Sequence, residues 1–266
     1  MGLLGNNLDV MGEHKLLLGE RFKIKDLGPV KQILGLVIDY DQEARILGLY
    51  QTHYIEESLE QYGITDGQTH PTPLGSGIKL SKEDSPQTDD EKEAMLDYPY
   101  QNLIGTLMYA MLGTHLDIAF AVGALSKFSS NPGKTHWDQA VHVLCYLGGT
   151  KNLGLVFHGD AEEDMASLIL GYTGSDWAGQ IDTHHSTGGY VFKMSGAAVS
   201  WSSKLQTSPA LSLTEAEYMA TTCAAQEAIW LCQLLEQLGH QKTQPTTLLE
   251  DNQGAVALAK NPGDHP

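Results

Sequence analysis

The chain has 266 residues, 41% of them hydrophobic, and a formal net charge of −17. That apolar share is enough for one large core or two ordinary ones, and no apolar run reaches the roughly 18 residues that would span a bilayer. The acid excess argues against affinity for polyanions through a general basic surface, because such affinity comes from lysine and arginine.

The opening MGLLGNNLDVMGEHK has neither a basic start nor a long apolar stretch, so it does not read as a signal peptide. Asn6 stands where a myristoylation pattern wants Ser or Thr. An intracellular protein, cytoplasmic or nuclear, is expected. Cys145, Cys223 and Cys232 lie in helical, apolar contexts and are expected as buried, reduced thiols.

In chain order, residues 9–25 read as a helix, ended by Gly28-Pro29. QILGLVIDYD and RILGLYQTHY read as two strands joined by a polar turn at Asp41–Ala44. YIEESLEQYGI (54–64) has helical apolar spacing and stops at Gly63. Residues 82–97 carry seven acids against two lysines, and 158–165 carry four acids; both read as solvated loops. Helices are expected over 100–112, 115–130 and 136–149, the last two separated by Asn131-Pro132-Gly133.

A domain boundary falls best at 159–166. Beyond it, ASLILGYTGSDWAG reads as a strand, and GGYVFKMSGAAVSWSSK as two antiparallel strands turning at Ser195-Gly196. Residues 213–238 read as one long helix with Thr214 and Glu217 spaced as a capping box. TTLLEDNQ is a strand and GAVALAK opens another helix. The order β-β-β-α-β-α predicts a mixed sheet with helices packed on it.

GYTGSDWAG, STGGYVF, AVSWSSK, SLTEAEYMA and EDNQGAVALAKNP together resemble the ribonuclease H domain of copia-type retrotransposon Pol polyproteins. Upstream, FKIKDLGPVKQILGLVI, LYQTHYIEESLEQYGI, HPTPLGSGIKLS, YQNLIGTLMYA, DIAFAVGALSKF and HWDQAVHVLCYLGGTKNLGLVF resemble the reverse-transcriptase segment that follows the catalytic turn in the same family. The resemblance covers nearly the whole chain in the family's order. It implies an α/β fold: an RNase H-like mixed sheet with flanking helices over 166–266, truncated at its C-terminal side. A mostly helical α+β reverse-transcriptase region, palm edge and thumb-like, would precede it over 1–158. The family's polymerase chemistry uses a Tyr-Val-Asp-Asp turn; here Asp89-Asp90 lies in the acidic segment instead, and Met1 would fall just downstream of that turn. No polymerase site is expected.

The resemblance also implies a two-metal site for Mg²⁺ or Mn²⁺, ions that sit about 3.5–4 Å apart and need several carboxylates between them. It assigns the second acid to Glu217 and the third to Asp251. Read from the residues alone, Glu217 could equally be a capping-box acid, and Asp251 a helix N-cap. Gly174 occupies the place of the family's first aspartate. Asp176, two residues on and on the same strand face, is the candidate substitute, offset by about 6–7 Å along the strand. The family's fourth acid lies in a segment beyond residue 266. The implied partners are an RNA–DNA hybrid and the rest of a Pol polyprotein, with no membrane and no small-molecule substrate.

Other residues offer less. His184-His185 reads as a solvated turn, Trp177 and Trp201 read as core aromatics, and the Gly75–Gly77 stretch lacks the lysine of a phosphate loop. Two functions stay open: hydrolysis of the RNA strand of a hybrid, degenerate here, or a non-catalytic nucleic-acid-binding or interaction module.

Overall fold

A computed structural model describes residues 2–3, 5, 7–65, 67–159, 169–240 and 244–261. The chain opens with α1 (Leu8–Arg21), whose first turn is capped by the Asn7 side chain. None of its residues is buried.

A first sheet follows, built from β1 (Gln32–Ile33), β2 (Leu36–Asp41) and β3 (Ile46–Tyr50), all antiparallel. The β1–β2 turn places Leu34 and Gly35 at φ 50 and φ 70, the left-handed pair that a two-residue hairpin requires. The fourth strand, β4 (Gly154–His158), pairs with β3 from the far side of the helical region, with Leu47 opposite Phe157. Sequence reasoning did not assign this strand.

Between β3 and β4 lie α2 (Thr52–Gln61), α3 (Asp89–Ala94), α4 (Tyr100–Gly113), α5 (Ala119–Ser126) and α6 (Lys134–Thr150). The apolar faces of α2, α4, α5 and α6 converge on Ile55, Leu103, Leu107, Leu125 and Leu144, all essentially inaccessible, each worth about 1.5–3 kcal/mol on burial. The fully buried Gln51 locks β3 to this bundle. Its Oε1 accepts from the amide and hydroxyl of Thr114, and its Nε2 donates to the Tyr109 carbonyl.

The acidic stretch 82–97 corrects the expectation of a loop. It contains a 3₁₀ turn, Lys82–Asp84, and then α3. Ser81 with Asp84, and Thr88 with Glu91, close reciprocal capping boxes. The acids crowd the positive end of each short helix, where negative charge is favoured.

The second region holds β5 (Leu170–Asp176), β6 (Thr187–Met194), β7 (Ala197–Leu205), α7 (Leu213–Gln237), β8 (Thr247–Leu249) and α8 (Gln253–Lys260). The predicted β-β-β-α-β-α order is observed, with sheet order β7-β6-β5-β8. β8 runs parallel to β5, with Leu170, Gly171 and Tyr172 opposite Thr247, Leu248 and Leu249. The β6–β7 turn is Ser195-Gly196, at φ 52 and φ 90. α7 covers this sheet through Ala224, Leu231 and Leu235, packed on Ile169 and Phe192. The layout is consistent with an α+β RNase H-like arrangement.

The two regions are in contact. Leu155 of β4 packs with Ala197 and Ala198 of β7, flanked by Leu49, Phe157 and Trp201. The Trp201 indole donates to the Met111 carbonyl at 3.2 Å, and His158 N donates to the Ser195 carbonyl at 2.8 Å. The boundary placed at 159–166 lies, Gly159 apart, outside the described residues. Cys145 is buried as expected and Cys232 half-buried, but Cys223 is exposed on α7, because the helix turns that position away from the sheet. Among the described residues no helix is long and apolar enough to cross a membrane.

Candidate metal centre

Glu217 sits one turn into α7. The helix is capped by Ser212, whose hydroxyl accepts from Glu215 N at 3.2 Å, while the Glu215 carboxylate accepts from Leu211 N at 2.7 Å. The cap is therefore two residues upstream of the Thr214–Glu217 pair that sequence spacing suggested. Glu217 is left free of capping and lies on the sheet-facing stripe with Ala216, Ala220 and Ala224. It is 6% exposed.

The second contribution comes from the end of β8. Leu248 packs into the core beneath α7. Glu250, two residues on, shares its face by strand alternation and meets α7: the Thr221 hydroxyl donates to Glu250 Oε2 at 3.0 Å. Asn252 N donates to Glu250 Oε1 at 2.9 Å. Asn252 also caps α8, its Oδ1 accepting from Ala255 N at 2.9 Å. Asp251 is consequently not the N-cap, and its carboxylate is exposed at the mouth of the site.

Glu217, Glu250 and Asp251 each bring one carboxylate oxygen to within 4.8 Å of the other two. Burial raises the Glu217 carboxyl above its ordinary range, and the negative charges of Glu250 and Asp251 add to the rise; the neighbouring Ser175 works in the opposite sense. Glu217 Oε2 has no hydrogen-bond partner among the described residues.

The donor set suits one hard divalent cation. Ligands on opposite sides of an ion with metal–oxygen bonds of about 2.1–2.6 Å stand about 4.2–5.2 Å apart, and the three oxygens span no more than 4.8 Å. A buried carboxylate oxygen without a donor is the kind of atom a cation satisfies. None of the three acids forms a salt bridge among the described residues.

Gly174 stands near this group: a Cβ built there would lie 4.0 Å from Glu217 Oε2. Asp176 does not belong to the three-acid group. Its Oδ1 accepts from Thr187 N on β6, and it lines a cleft of about 340 Å³ beside Lys127 of α5. The strand's face is shared as expected, but the hydrogen bond to Thr187 and the turn at Gly179, where a Cβ would strike the Asp176 carboxylate, fix Asp176 away from Glu217. Glu250 is the residue that sequence reasoning missed. Its signal was the parity of the half-buried, core-packed Leu248 two positions before it.

Trp177 is half-exposed, donating to the Ala210 carbonyl at 3.3 Å, and so is not a core aromatic; Trp201 packs in the shared core. His184 is exposed in the turn, with its partner His185 half-buried.

Comparison with known proteins places these features in a family. Residues 1–76 match the model for reverse transcriptase (RNA-dependent DNA polymerase). Over 262 residues the chain is 44% identical to the retrovirus-related Pol polyprotein from transposon TNT 1-94 of Nicotiana tabacum, covering 98% of this chain and 19% of that protein. The chain belongs to the copia-type retrotransposon Pol family. Another Pol polyprotein, from transposon RE1 of Arabidopsis thaliana, is 33% identical over 263 residues, which is 99% of this chain and 17% of that protein. The Pol chain thus spans less than a fifth of the length of these transposon relatives. It also covers 94% of a shorter protein, the secreted RxLR effector protein 161 of Plasmopara viticola, at 47% identity over 137 residues. No solved structure is significantly similar to it.

Proposed function

We propose that residues 166–266 form an RNase H-like module of a Pol protein, attached to a reverse-transcriptase-derived region over 1–158. The module engages an RNA–DNA hybrid inside the cell, with hydrolysis reduced to a vestige. The observation that carries this reading is the pairing of a retained acid group, Glu217 with Asp251, and a glycine at 174 beside it. A divalent cation bound there would stabilise the charge developing on a phosphate and acidify a bound water. Glu217 and Asp251 would hold the cation, and Thr221 and Asn252 fix the adjoining Glu250. A pair of ions needs carboxylate on both sides of the bridge, and position 174 supplies none.

The absence of a polymerase turn follows the same reading. Asp89 and Asp90 occupy the first turn of α3, with Lys92 on Asp89 at 3.0 Å, so they serve a helix end.

The test is hybrid cleavage by the whole chain with Mg²⁺ or Mn²⁺, run beside hybrid binding by fluorescence anisotropy. Binding that weakens with salt, without detectable cleavage, is the expected result. Robust cleavage abolished by Glu217→Gln would show that the site is intact. Neither binding nor cleavage would leave the second reading, an interaction module. That reading draws on the exposed Ile229, Trp230 and Leu238 on the outer side of α7 and beyond its end.

A further inference from the structure

We propose that Glu250 is a metal ligand in this chain, completing with Glu217 and Asp251 a site for a single divalent cation and taking over the role that Gly174 cannot fill. The inference deepens the RNase H-like reading and rests on it only for the expectation of an acid at 174. The ligand set itself stands on geometry.

Three observations carry it. Glu250, Glu217 and Asp251 each offer an oxygen within 4.8 Å of the others. Glu217 is more than nine-tenths buried, and its Oε2 has no hydrogen-bond partner among the described residues. Glu250 is held in place rather than splayed to solvent: Thr221 on α7 and the Asn252 amide each take one of its oxygens. Each carboxylate oxygen has two lone pairs, so both hydrogen bonds leave a coordination position open. Outer contacts of this kind are what orient a ligating carboxylate. All three acids come from the α7 and β8 side of the site, while β5, with Gly174, contributes none. Such a one-sided set holds one ion and leaves no bridge to a second. Hard oxygen donors of this number select Mg²⁺, Mn²⁺ or Ca²⁺ over softer metals.

The experiment titrates Mn²⁺ into the full chain, followed by electron paramagnetic resonance and calorimetry. The parent should bind one Mn²⁺. Glu250→Gln keeps the side chain's size and should weaken binding by at least about tenfold, the loss that even an outer contact of a metal site produces. Glu236→Gln, an exposed acid on the same helix, should leave it unchanged. Adding Gly174→Asp to Glu250→Gln should recover the affinity. Circular dichroism melts without metal separate misfolding from ligand loss, and Glu250→Gln should melt no lower than the parent. Equal affinity of parent and Glu250→Gln, two ions per chain, or no saturable binding would each overturn the assignment. Hybrid binding measured on the same samples reports on the RNase H-like reading separately: its loss with Mn²⁺ binding intact would sink that reading and leave Glu250 as a ligand.

Discussion

Gly174 of β5 stands beside Glu217 of α7, close enough that a Cβ at 174 would lie 4.0 Å from Glu217 Oε2. That spacing is ordinary van der Waals contact, so a Cβ is accommodated without moving the backbone, which is extended strand and imposes no glycine requirement. Gly174→Asp is therefore expected to fold. It should destabilise the metal-free protein by about 1–2 kcal/mol, the usual scale for a single unfavourable change, because it adds negative charge beside a buried carboxylate. Saturating Mn²⁺ should reverse the loss, since a ligand that binds only the native state stabilises it by mass action. Thermal melts of parent and variant with and without Mn²⁺ check this. A variant that melts with the parent under both conditions would mean that position 174 does not reach the site.

His136 gives a pH prediction. Its Nδ1 accepts from Gly133 N at 2.9 Å, so Nε2 carries the proton and donates to the Ser81 carbonyl at 3.2 Å, and the ring stacks on Phe128 at 3.9 Å. Burial lowers its pKa below the ordinary 6.5, against the opposing pull of Asp84. The unfolded chain then binds the proton more readily than the folded one, so stability is full above 6.5 and falls as pH drops from there toward the lowered folded value. Melting temperature measured from pH 7.5 to 5 should decline in the parent and decline less in His136→Gln. Parallel profiles for the two would reject His136 as the source.

α1 offers a test of what the fold does without. It buries none of its residues, and Leu8, Leu16, Leu17 and Phe22 are all largely exposed. Packing of an apolar face is what stabilises most protein helices, so α1 contributes little to the core behind it. A chain lacking residues 1–21 should melt within about 0.5 kcal/mol of the parent, the range for changes away from packed features. A loss of several kcal/mol would show that α1 is docked on the remainder.

The second region was readable because its apolar strand runs are separated by clear turn signals, such as the left-handed pair Ser195-Gly196. The sequence failed where local signals were degenerate or distant. Ser212 and Thr214 each precede a glutamate by three residues, so two capping frames were available. The fold takes the one that puts Ala216, Ala220 and Ala224 against the sheet, and this delivers Glu217 to the site. β4 escaped notice because its partner, β3, lies on the far side of the helical region, and no local pattern encodes that pairing. The capping boxes of Ser81 and Thr88 were hidden by the density of acid around them. Resemblance drew attention to Asp251 and away from Glu250, although the apolar Leu248 already fixed which way Glu250 would turn.

The last prediction links packing to the site. Gly171 lies in β5 between β6 and β8, opposite Phe192 and Leu248. A Cβ there would come within 2.5 Å of the Phe192 ring and 2.7 Å of Leu248 Cδ1. Phe192 is fully buried beneath α7 and cannot retreat, so Leu248 must yield. Its strand, β8, is three residues long and, among the described residues, pairs with β5 alone. Gly171→Ala should thus cost about 1–3 kcal/mol, typical of an overpacked core, and part of the adjustment should be a displacement of β8. Because β8 leads directly into Glu250 and Asp251, Mn²⁺ affinity should fall along with stability, although no ligand has been changed. Phe192→Leu in the same chain makes room on the other side and should recover both. Mn²⁺ titration and urea unfolding of the single and double variants would show it. A Gly171→Ala protein that is destabilised yet binds Mn²⁺ as the parent does would mean that β8 holds its position independently of β5.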